Sequence, residues 1–329
     1  MATTQSAWHT MTGIKAVRAV ETTGLSREAW LAERKKGIGS SDIAAIAGFN
    51  PWSSPIQVYL NKTGRGEDME MNERMQWGIH LEPIVAKAYA EKEGRKVSRV
   101  NAILQHPDSP ICLANIDRMA GPLTENKNGV LEIKCTSYAK PWAGGADAPD
   151  MYYCQLIWQL GITGLPWGQF AVLLNGNELI VPNPVSADNK VFENLRTIAE
   201  RFWHDHVIKD VPPNPSCAAD YDGVKALYGS VEETTCVLPE TLAPLIEKRK
   251  EITDLAKSLE DQRKQIDAQV LFAMKENKWG KCGSTKVTRV CSSETSLDTA
   301  RIKIEEPEIF KKYMKSSKVQ YPLYSEAKK

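Results

Sequence analysis

The stretch Leu131-Glu132-Ile133-Lys134-Cys135 alternates apolar and charged side chains, and Asp117 lies 14 residues before its first residue. Alternation with a period of two predicts a β-strand, in which residues i and i+2 share one face. Glu132 and Lys134 are therefore expected on one face, while the three apolar side chains point into the core. The stretch predicts a strand that carries a charged pair beside a hydrophobic core.

The residues between Asp117 and this strand favour a tight return of the chain. Residues 121–129 contain Gly, Pro and Asn, which are typical of a hairpin turn. We expect this turn to fold a strand over residues 112–117 back beside a strand over residues 130–135. Two carboxylates and an amine would then converge at the mouth of a sheet, from Asp117, Glu132 and Lys134.

Such a group has the chemistry that phosphodiester hydrolysis requires. Carboxylate oxygens hold Mg²⁺ or Mn²⁺, which prefer oxygen ligands. The bound metal stabilises charge on the scissile phosphate and acidifies a water, and a lysine beside it orients the nucleophile or stabilises developing charge. A surface ion pair on a half-exposed strand is the simpler alternative, and a Glu-x-Lys pattern alone does not decide between the two.

Strand and helix patterns along the chain indicate an α/β protein with two parts. Strand patterns lie at residues 96–104, 112–117, 130–135, 168–175 and 178–181, and helix patterns include 72–93, 150–160 and 188–207. Three prolines within residues 210–216 mark a boundary. We therefore predict a domain over residues 1–215 and a C-terminal extension over 216–329, with a long helix at 245–278 and a small hairpin at 280–290.

The composition is that of an ordinary globular protein, with 42% hydrophobic and 25% charged residues and a net charge of +1. Bulk charge gives no argument for nucleic-acid binding, which would need a local basic surface. No apolar run reaches the ~18 residues that span a bilayer, and the N-terminus lacks the apolar segment of a signal peptide. Seven widely spaced cysteines favour reduced thiols over a zinc ribbon or disulfides. We expect a cytoplasmic protein without a membrane partner.

Five sequence segments, one of which contains Glu132, follow one another along the chain. They are residues 30–42 (WLAERKKGIGSSD) followed by Asn50-Pro51-Trp52, 75–83 (MQWGIHLEP), 115–118 (NIDR), 131–135 (LEIKC) and 152–159 (YYCQLIWQ). Together they resemble the lambda-exonuclease/YqaJ-like viral recombinase family of the PD-(D/E)xK nuclease superfamily. The resemblance implies a restriction-endonuclease-like α/β fold, with a mixed central sheet flanked by helices and, here, a helical C-terminal extension.

The resemblance also implies a metal centre that binds Mg²⁺ or Mn²⁺. The implied catalytic residues are Asp117, Glu132, Lys134, Glu82 and Gln155, with the Ile133 backbone carbonyl as a further metal ligand. Lys134 would position the attacking water, and Glu82 would reach the metal from its helix, directly or through water. Gln155 would brace Lys134 or the water, although a polar residue on a buried helix face is the alternative.

A second implied site grips the 5′-phosphate of a DNA end through Arg34, Ser41 and Ser40, to which Lys140 could add. Arginine makes bidentate phosphate contacts, and the two serines lie where a Gly-rich turn opens a helix. Ser40 or Ser41 as the N-cap of that helix is the alternative, and a cap could serve both purposes. Asn115 departs from the family pattern, because some relatives carry a serine there near the phosphate.

The function that the resemblance implies is a Mg²⁺-dependent 5′→3′ exonuclease. It would act on linear duplex DNA ends and leave 3′ single-stranded tails for annealing in phage-type recombination. A homotrimeric ring and a single-strand annealing protein partner are further implications, in the cytoplasm of a bacterial host. Two alternatives stay open: an endonuclease of the same fold in DNA repair, and a non-catalytic DNA-binding module.

Overall fold

Strand β6 (Gly129–Thr136) lies inside a mixed sheet at the centre of the fold. A computed structural model describes residues 2–66, 71–123, 127–138, 142, 148–230, 232–292, 296–314, 322 and 324. The other strands of this sheet are β2 (Val97–Ser98), β5 (Arg118–Ala120), β7 (Trp167–Leu174), β8 (Glu178–Ile180) and β9 (Val185–Ser186). Their order is β2-β5-β6-β7-β8, with β9 paired to β7. Strands β6 and β7 are parallel, and the other pairs are antiparallel.

Helix α6 (Asp150–Thr163) connects β6 to β7, as parallel neighbours require a crossover. Its residues Leu156 and Trp158 are fully buried in the core that also contains Phe170 of β7. The helix extends three residues beyond the predicted end at 160, and it stops where Gly164 takes a φ of +68°. Glycine adopts this left-handed conformation without the steric cost that a side chain adds.

Helix α5 (Glu73–Glu93) packs on the opposite face of the sheet, and Pro83 lies within it without ending it. Leu131 and Ile133 of β6 share a buried cluster with residues of this helix, including Tyr89. Since adjacent side chains of a strand alternate, Glu132 and Lys134 face α6 instead. The predicted distribution of side chains on this strand therefore agrees with the structure.

A second sheet contains β1 (Val17–Glu21), β3 (Ala102–His106) and β4 (Ser109–Ala114), in the order β1-β3-β4. The prediction of one strand over residues 112–117 is wrong. Strand β4 ends at Ala114, which pairs with Leu104 of β3, and β5 is the strand that pairs with β6. The chain crosses between the two sheets at residues 115–117. The predicted strand at 96–104 is likewise divided into β2 and β3, with Asn101 at a φ of +49° between them.

Most remaining elements of the first part of the chain are helices. These are α1 (Ala2–Thr12), α2 (Arg27–Arg34), α3 (Ser40–Ile46), α4 (Pro55–Lys62), α7 (Asn189–Phe202) with a π-helical turn at Trp203–Ile208, and α8 (Asp220–Leu227). The turn between α2 and α3 is bonded to β4, because the Ile38 N–H donates to the Ile111 carbonyl at 2.7 Å. A Cβ at Gly37 would lie 2.4 Å from that carbonyl, so only glycine permits this approach.

The chain divides into two units, Met1–Ser230 and Val231–Lys329. This boundary lies after α8, whereas the sequence predicts one at the prolines before residue 216. Helix α8 belongs to the first unit because it packs on α4: the Gln57 amide donates to the Ala219 carbonyl at 3.3 Å, and Gly223 lies against Ile56. A proline-rich connection therefore does not by itself end a domain.

The second unit contains the predicted long helix and hairpin. A 3₁₀ turn at Glu240–Leu242 precedes α9 (Ala243–Met274), followed by β10 (Trp279–Cys282) paired with β11 (Thr285–Thr288), α10 (Thr299–Glu305) and α11 (Pro307–Tyr313). Helix α9 ends before the predicted residue 278 because Lys275 takes a φ of +49°. The predicted α/β class, with a mixed central sheet flanked by helices, is confirmed. No helix within the described ranges is long and apolar enough to cross a membrane.

Candidate active site

The β5–β6 hairpin brings Asp117 beside Glu132. Asp117 immediately precedes β5, whose first residue, Arg118, pairs with Leu131. The Ile133 N–H donates to Asp117 Oδ2 at 2.8 Å, so the backbone of β6 fixes the carboxylate. The turn predicted from the sequence therefore places both carboxylates together, although through a different strand from the one predicted.

Glu132 and Lys134 face helix α6 and are bonded to each other. Lys134 Nζ donates to Glu132 Oε1 at 2.6 Å and to Gln155 Oε1 at 3.1 Å. The Gln155 amide nitrogen donates to the same Glu132 oxygen at 2.5 Å. Lys134 Nζ also lies 4.8 Å from the centre of the Tyr152 ring, a distance at which a cation–π attraction contributes. Gln155 is thus in contact with both charged residues.

Gln159 is a member of this cluster to which the sequence analysis gave no role. It lies four residues after Gln155, on the same side of α6. Its amide nitrogen donates to Glu132 Oε2 at 2.8 Å and to the Asn115 carbonyl at 3.0 Å, and its side chain is fully buried. The glutamine spacing of i, i+4 in segment 152–159 was the signal that could have identified it. Both Glu132 oxygens therefore have amide donors.

Glu82 approaches the centre from α5, but it is paired with Arg118. The Arg118 guanidinium donates to Glu82 Oε1 and, at 2.6 Å, to the Asp117 carbonyl. Arg118 is buried and was not predicted as a site residue, because an arginine that follows an aspartate has no sequence pattern of its own. Arg118 therefore connects Glu82 of helix α5 to the backbone of Asp117.

The charges at this centre are unbalanced in favour of the carboxylates. The pKa of the Asp117 carboxyl is raised to about 8, first by burial and second by the negative charge of Glu132. Burial lowers the pKa of Lys134, but the Glu132 and Asp117 carboxylates outweigh burial, so the Lys134 pKa is raised. Lys134 is therefore held as a cation, and the site still disfavours a second ionised carboxylate.

A divalent cation fits this donor set. Asp117 and Glu132 supply the oxygen ligands that Mg²⁺ prefers, and a bound cation would relieve the repulsion that raises the Asp117 pKa. In the part of the chain that the structure describes, no group of three or more His, Cys, Asp or Glu side chains forms a complete metal site. Mg²⁺ commonly takes one or two carboxylates and completes its shell with water and substrate phosphate, which two carboxylates allow.

The predicted phosphate residues lie at the α2–α3 turn. Arg34 Nη2 donates to Ser41 Oγ at 2.8 Å, and its guanidinium lies 4.7 Å from the centre of the Trp30 ring. The N-cap of α3 is Gly39, so the alternative that Ser40 or Ser41 caps this helix is wrong. Ser40 is buried, and its hydroxyl has no hydrogen-bond partner within the described residues. The predicted contribution of Lys140 lies outside the described residues.

A cavity of about 860 Å³ connects the predicted metal centre with Arg34 of the predicted phosphate site, whereas Ser40 and Ser41 are not among the described residues that line it. Its lining includes Asp117, Glu132 and Lys134 as well as Arg34, and it includes Glu82 and Ile133. Asp222, Gly223 and Ala226 of α8 form another part of its wall. Met75 of α5 lines it too and is half-buried. The first unit thus contains one continuous space that is lined by Asp117, Glu132 and Arg34.

Comparison with known proteins identifies the family of this chain. Residues 29–166 match the model of the YqaJ-like viral recombinase domain. The protein YqaJ of Bacillus subtilis (strain 168) is 30% identical to this chain over 316 residues, which cover 93% of this chain and 97% of that protein. The chain belongs to the YqaJ-like viral recombinase family. The family resemblance predicted from five sequence segments is therefore confirmed.

Solved structures similar to this YqaJ-like protein match it more weakly. The crystal structure of an alkaline exonuclease from Laribacter hongkongensis is 20% identical, with a TM-score of 0.46, and the match covers 62% of this chain and all of that chain. A phage-related exonuclease from Haemophilus somnus 129PT is 12% identical, with a TM-score of 0.39, over 53% of this chain and 96% of that one.

Proposed function

We propose that this YqaJ-like protein is a Mg²⁺-dependent DNA exonuclease that degrades linear duplex DNA in the 5′→3′ direction and leaves 3′ single-stranded tails. The observation that carries the proposal is the cluster of Asp117, Glu132 and Lys134, braced by Gln155, in a cavity that also contains Arg34. The family, to which viral recombinases belong, supports a role in phage-type recombination by single-strand annealing.

Each residue of the centre has a separate role in the proposed hydrolysis. Asp117 and Glu132 would hold Mg²⁺ or Mn²⁺, with the Ile133 carbonyl and Glu82 as further ligands. When bound, the metal stabilises charge on the scissile phosphate and lowers the pKa of water. Lys134, whose raised pKa keeps it protonated, would orient the nucleophile and stabilise negative charge. Gln155 and Gln159 fix the Glu132 carboxylate by donating to its two oxygens.

The direction of digestion depends on the second group of residues. Arg34 lines the cavity, and its contacts with Ser41 and the Trp30 ring fix the position of its guanidinium. A guanidinium binds phosphate through two parallel hydrogen bonds. We propose that Arg34, Ser41 and Ser40, with Lys140, bind the 5′-phosphate of a DNA end while the metal centre cuts the first phosphodiester.

The proposed setting of this activity follows the family. We propose a homotrimeric ring around the DNA, with a single-strand annealing protein that receives the 3′ tail, in the cytoplasm of a bacterial host. We propose that the C-terminal unit, with its 32-residue helix α9, extends this ring or contacts DNA.

The test is the product polarity on a linear duplex labelled at either end, with a 5′-phosphate or a 5′-hydroxyl. We expect Mg²⁺-dependent release of mononucleotides from the 5′ end, faster on phosphorylated ends, and no cutting of covalently closed circular DNA. Internal cuts in circular DNA, at equal rates for the two kinds of end, would favour an endonuclease. Binding of DNA without any digestion in Mg²⁺ or Mn²⁺ would favour a non-catalytic module.

A further inference from the structure

Lys62, the last residue of α4, carries a charge in an almost closed environment. Its side chain is 1% exposed, and its Nζ lies 2.6 Å from Asp42 Oδ2 and donates to the Arg34 carbonyl at 2.9 Å. Burial lowers the pKa of Lys62, and the Asp42 carboxylate opposes this change. A buried charge is costly unless a partner compensates for it, so the contacts with Asp42 and Arg34 define the role of this lysine.

Asp42 and Arg34 approach each other around Gly39. The Gly39 N–H donates to Asp42 Oδ2 at 2.8 Å. A Cβ at Gly39 would lie 3.2 Å from that oxygen and 3.6 Å from Arg34 Nη2. The Asp42 carboxylate and the Arg34 guanidinium therefore both lie close to Gly39, and opposite charges at short distances attract strongly. Asp42 would be an internal competitor for the Arg34 guanidinium if Lys62 did not neutralise it.

We propose that Lys62 is a positioning residue for the 5′-phosphate pocket: it neutralises Asp42 and so keeps the Arg34 guanidinium available to the phosphate of a DNA end. This inference rests on the proposed function and deepens it. Arg34, Asp42 and Lys62 all line the cavity that also contains the metal-centre carboxylates. The bond from Lys62 to the Arg34 carbonyl holds the end of α2 at the same time.

Loss of Lys62 would weaken the binding of the 5′-phosphate in two ways. The free Asp42 carboxylate would repel an incoming phosphate, and it would also attract the Arg34 side chain away from it. Both effects weaken the binding of a phosphorylated end, while neither touches Asp117, Glu132 or Lys134. The expected signature is therefore a raised KM for phosphorylated ends, with little change in kcat and little change for hydroxyl ends.

The experiment compares three full-length variants with the wild type. Lys62→Met removes the charge, Asp42→Asn with Lys62→Met removes both charges, and Lys92→Met is the matched control. Lys92 donates to the Leu179 carbonyl at 2.9 Å and does not line the cavity among the residues described. The readout is the ratio of kcat/KM on 5′-phosphorylated duplex to kcat/KM on 5′-hydroxyl duplex, in Mg²⁺, with thermal unfolding as the check of folding.

We expect Lys62→Met to lower this ratio by about tenfold or more, the effect of losing one charge-assisted hydrogen bond. The double variant should recover most of the ratio, since residue 42 is then a neutral asparagine. Lys92→Met should have the wild-type ratio. A wild-type ratio in folded Lys62→Met would overturn the inference. An equally low ratio in the double variant would also overturn it, because Lys62 would then act by contacting the phosphate itself.

Two further outcomes are informative. If Lys62→Met does not fold, the double variant carries the test alone: a ratio close to that of the wild type supports the inference, and a lost ratio overturns it. If the wild type digests both kinds of end equally, the proposed 5′-phosphate pocket is wrong, and the inference falls with it. A strong wild-type preference that survives in Lys62→Met rejects the inference alone.

Discussion

The two units of this chain place similar apolar residues in opposite environments. In Met1–Ser230, Leu156 and Leu160 of α6 are at most 1% exposed. In Val231–Lys329, five apolar residues of α9 are 54–60% exposed, namely Leu245, Ile252, Leu255, Leu259 and Ile266. An apolar stripe at helical spacing thus predicts a helix, but it does not show that the stripe is covered. Among the described residues, it is those of the first unit that combine a closed core with buried polar groups.

The largest expected effect is the loss of activity in Glu132→Ala. This change removes a proposed metal ligand and the acceptor for Lys134, Gln155 and Gln159, so we expect DNA digestion in Mg²⁺ to fall by about 10³-fold. The matched control is Glu260→Ala in the second unit, where Glu260 pairs with Arg263, and its rate should stay within about twofold of the wild type. Similar rates for the two variants would show that the centre lies elsewhere.

The same leucine-to-alanine truncation in both units tests whether the two apolar helix faces differ in burial. Leu156→Ala empties part of the core and should lower the free energy of unfolding by about 2–5 kcal/mol. Leu255→Ala removes a side chain that is 59% exposed and should change it by less than about 0.5 kcal/mol. Urea titration followed by tryptophan fluorescence measures both. A loss of 2 kcal/mol or more in Leu255→Ala would mean that the α9 stripe is buried in solution.

The hairpin and the strand parity could be predicted because both depend on neighbouring residues. Gly, Pro and Asn in residues 121–129 specify a turn, and a period of two determines that Glu132 and Lys134 share a face. The strand that precedes Asp117 could not be placed, because an apolar run such as residues 111–114 does not reveal which sheet it joins. In the structure, β4 joins the second sheet, and Asp117 lies in the crossing between sheets.

The polar partners of the site were harder to predict than its charged residues. Gln159 and Arg118 take their roles from contacts that are distant in sequence, to Glu132 and to Glu82 respectively. The pairing of Lys62 with Asp42 joins residues from different helices and has no spacing that identifies it. Periodicity alone could not show that the five segments belong to one site. The family resemblance indicated this, because the family has these segments in the same order.

Mg²⁺ should stabilise the first unit and leave the second unchanged. A ligand that binds only the folded state adds about 2.7 kcal/mol at a concentration 100 times its Kd. We therefore expect the thermal unfolding transition of the first unit to rise in Mg²⁺, and to return to its original temperature after chelation. Glu132→Ala should abolish this shift. A shift of equal size in that variant would mean that Mg²⁺ binds at another place.

The smallest effect is expected from modification of the exposed cysteines. Cys217, Cys236, Cys282 and Cys291 are exposed and should react rapidly with a thiol reagent at pH 8 without loss of folding. Burial raises the pKa of Cys154 to about 12 and that of Cys112 to about 11, so both stay protonated and slow. Because these pKa values are raised in the folded state, their stabilising contribution is complete below pH ~9 and is lost as the pH rises towards 11 and 12. Rapid reaction of six thiols at pH 8 would contradict this.

The parallel pairing of β6 with β7 has a consequence for the synthesis of the protein. Glu132 and Lys134 leave the ribosome before α6 supplies Gln155 and Gln159, and before β7 provides the second neighbour of β6. A chain grows from its N-terminus, and a parallel neighbour can pair only after the crossover has been made. A nascent chain therefore lacks the complete centre until Leu174 has emerged. If the proposed activity is correct, the DNA of the host cell meets only finished enzyme.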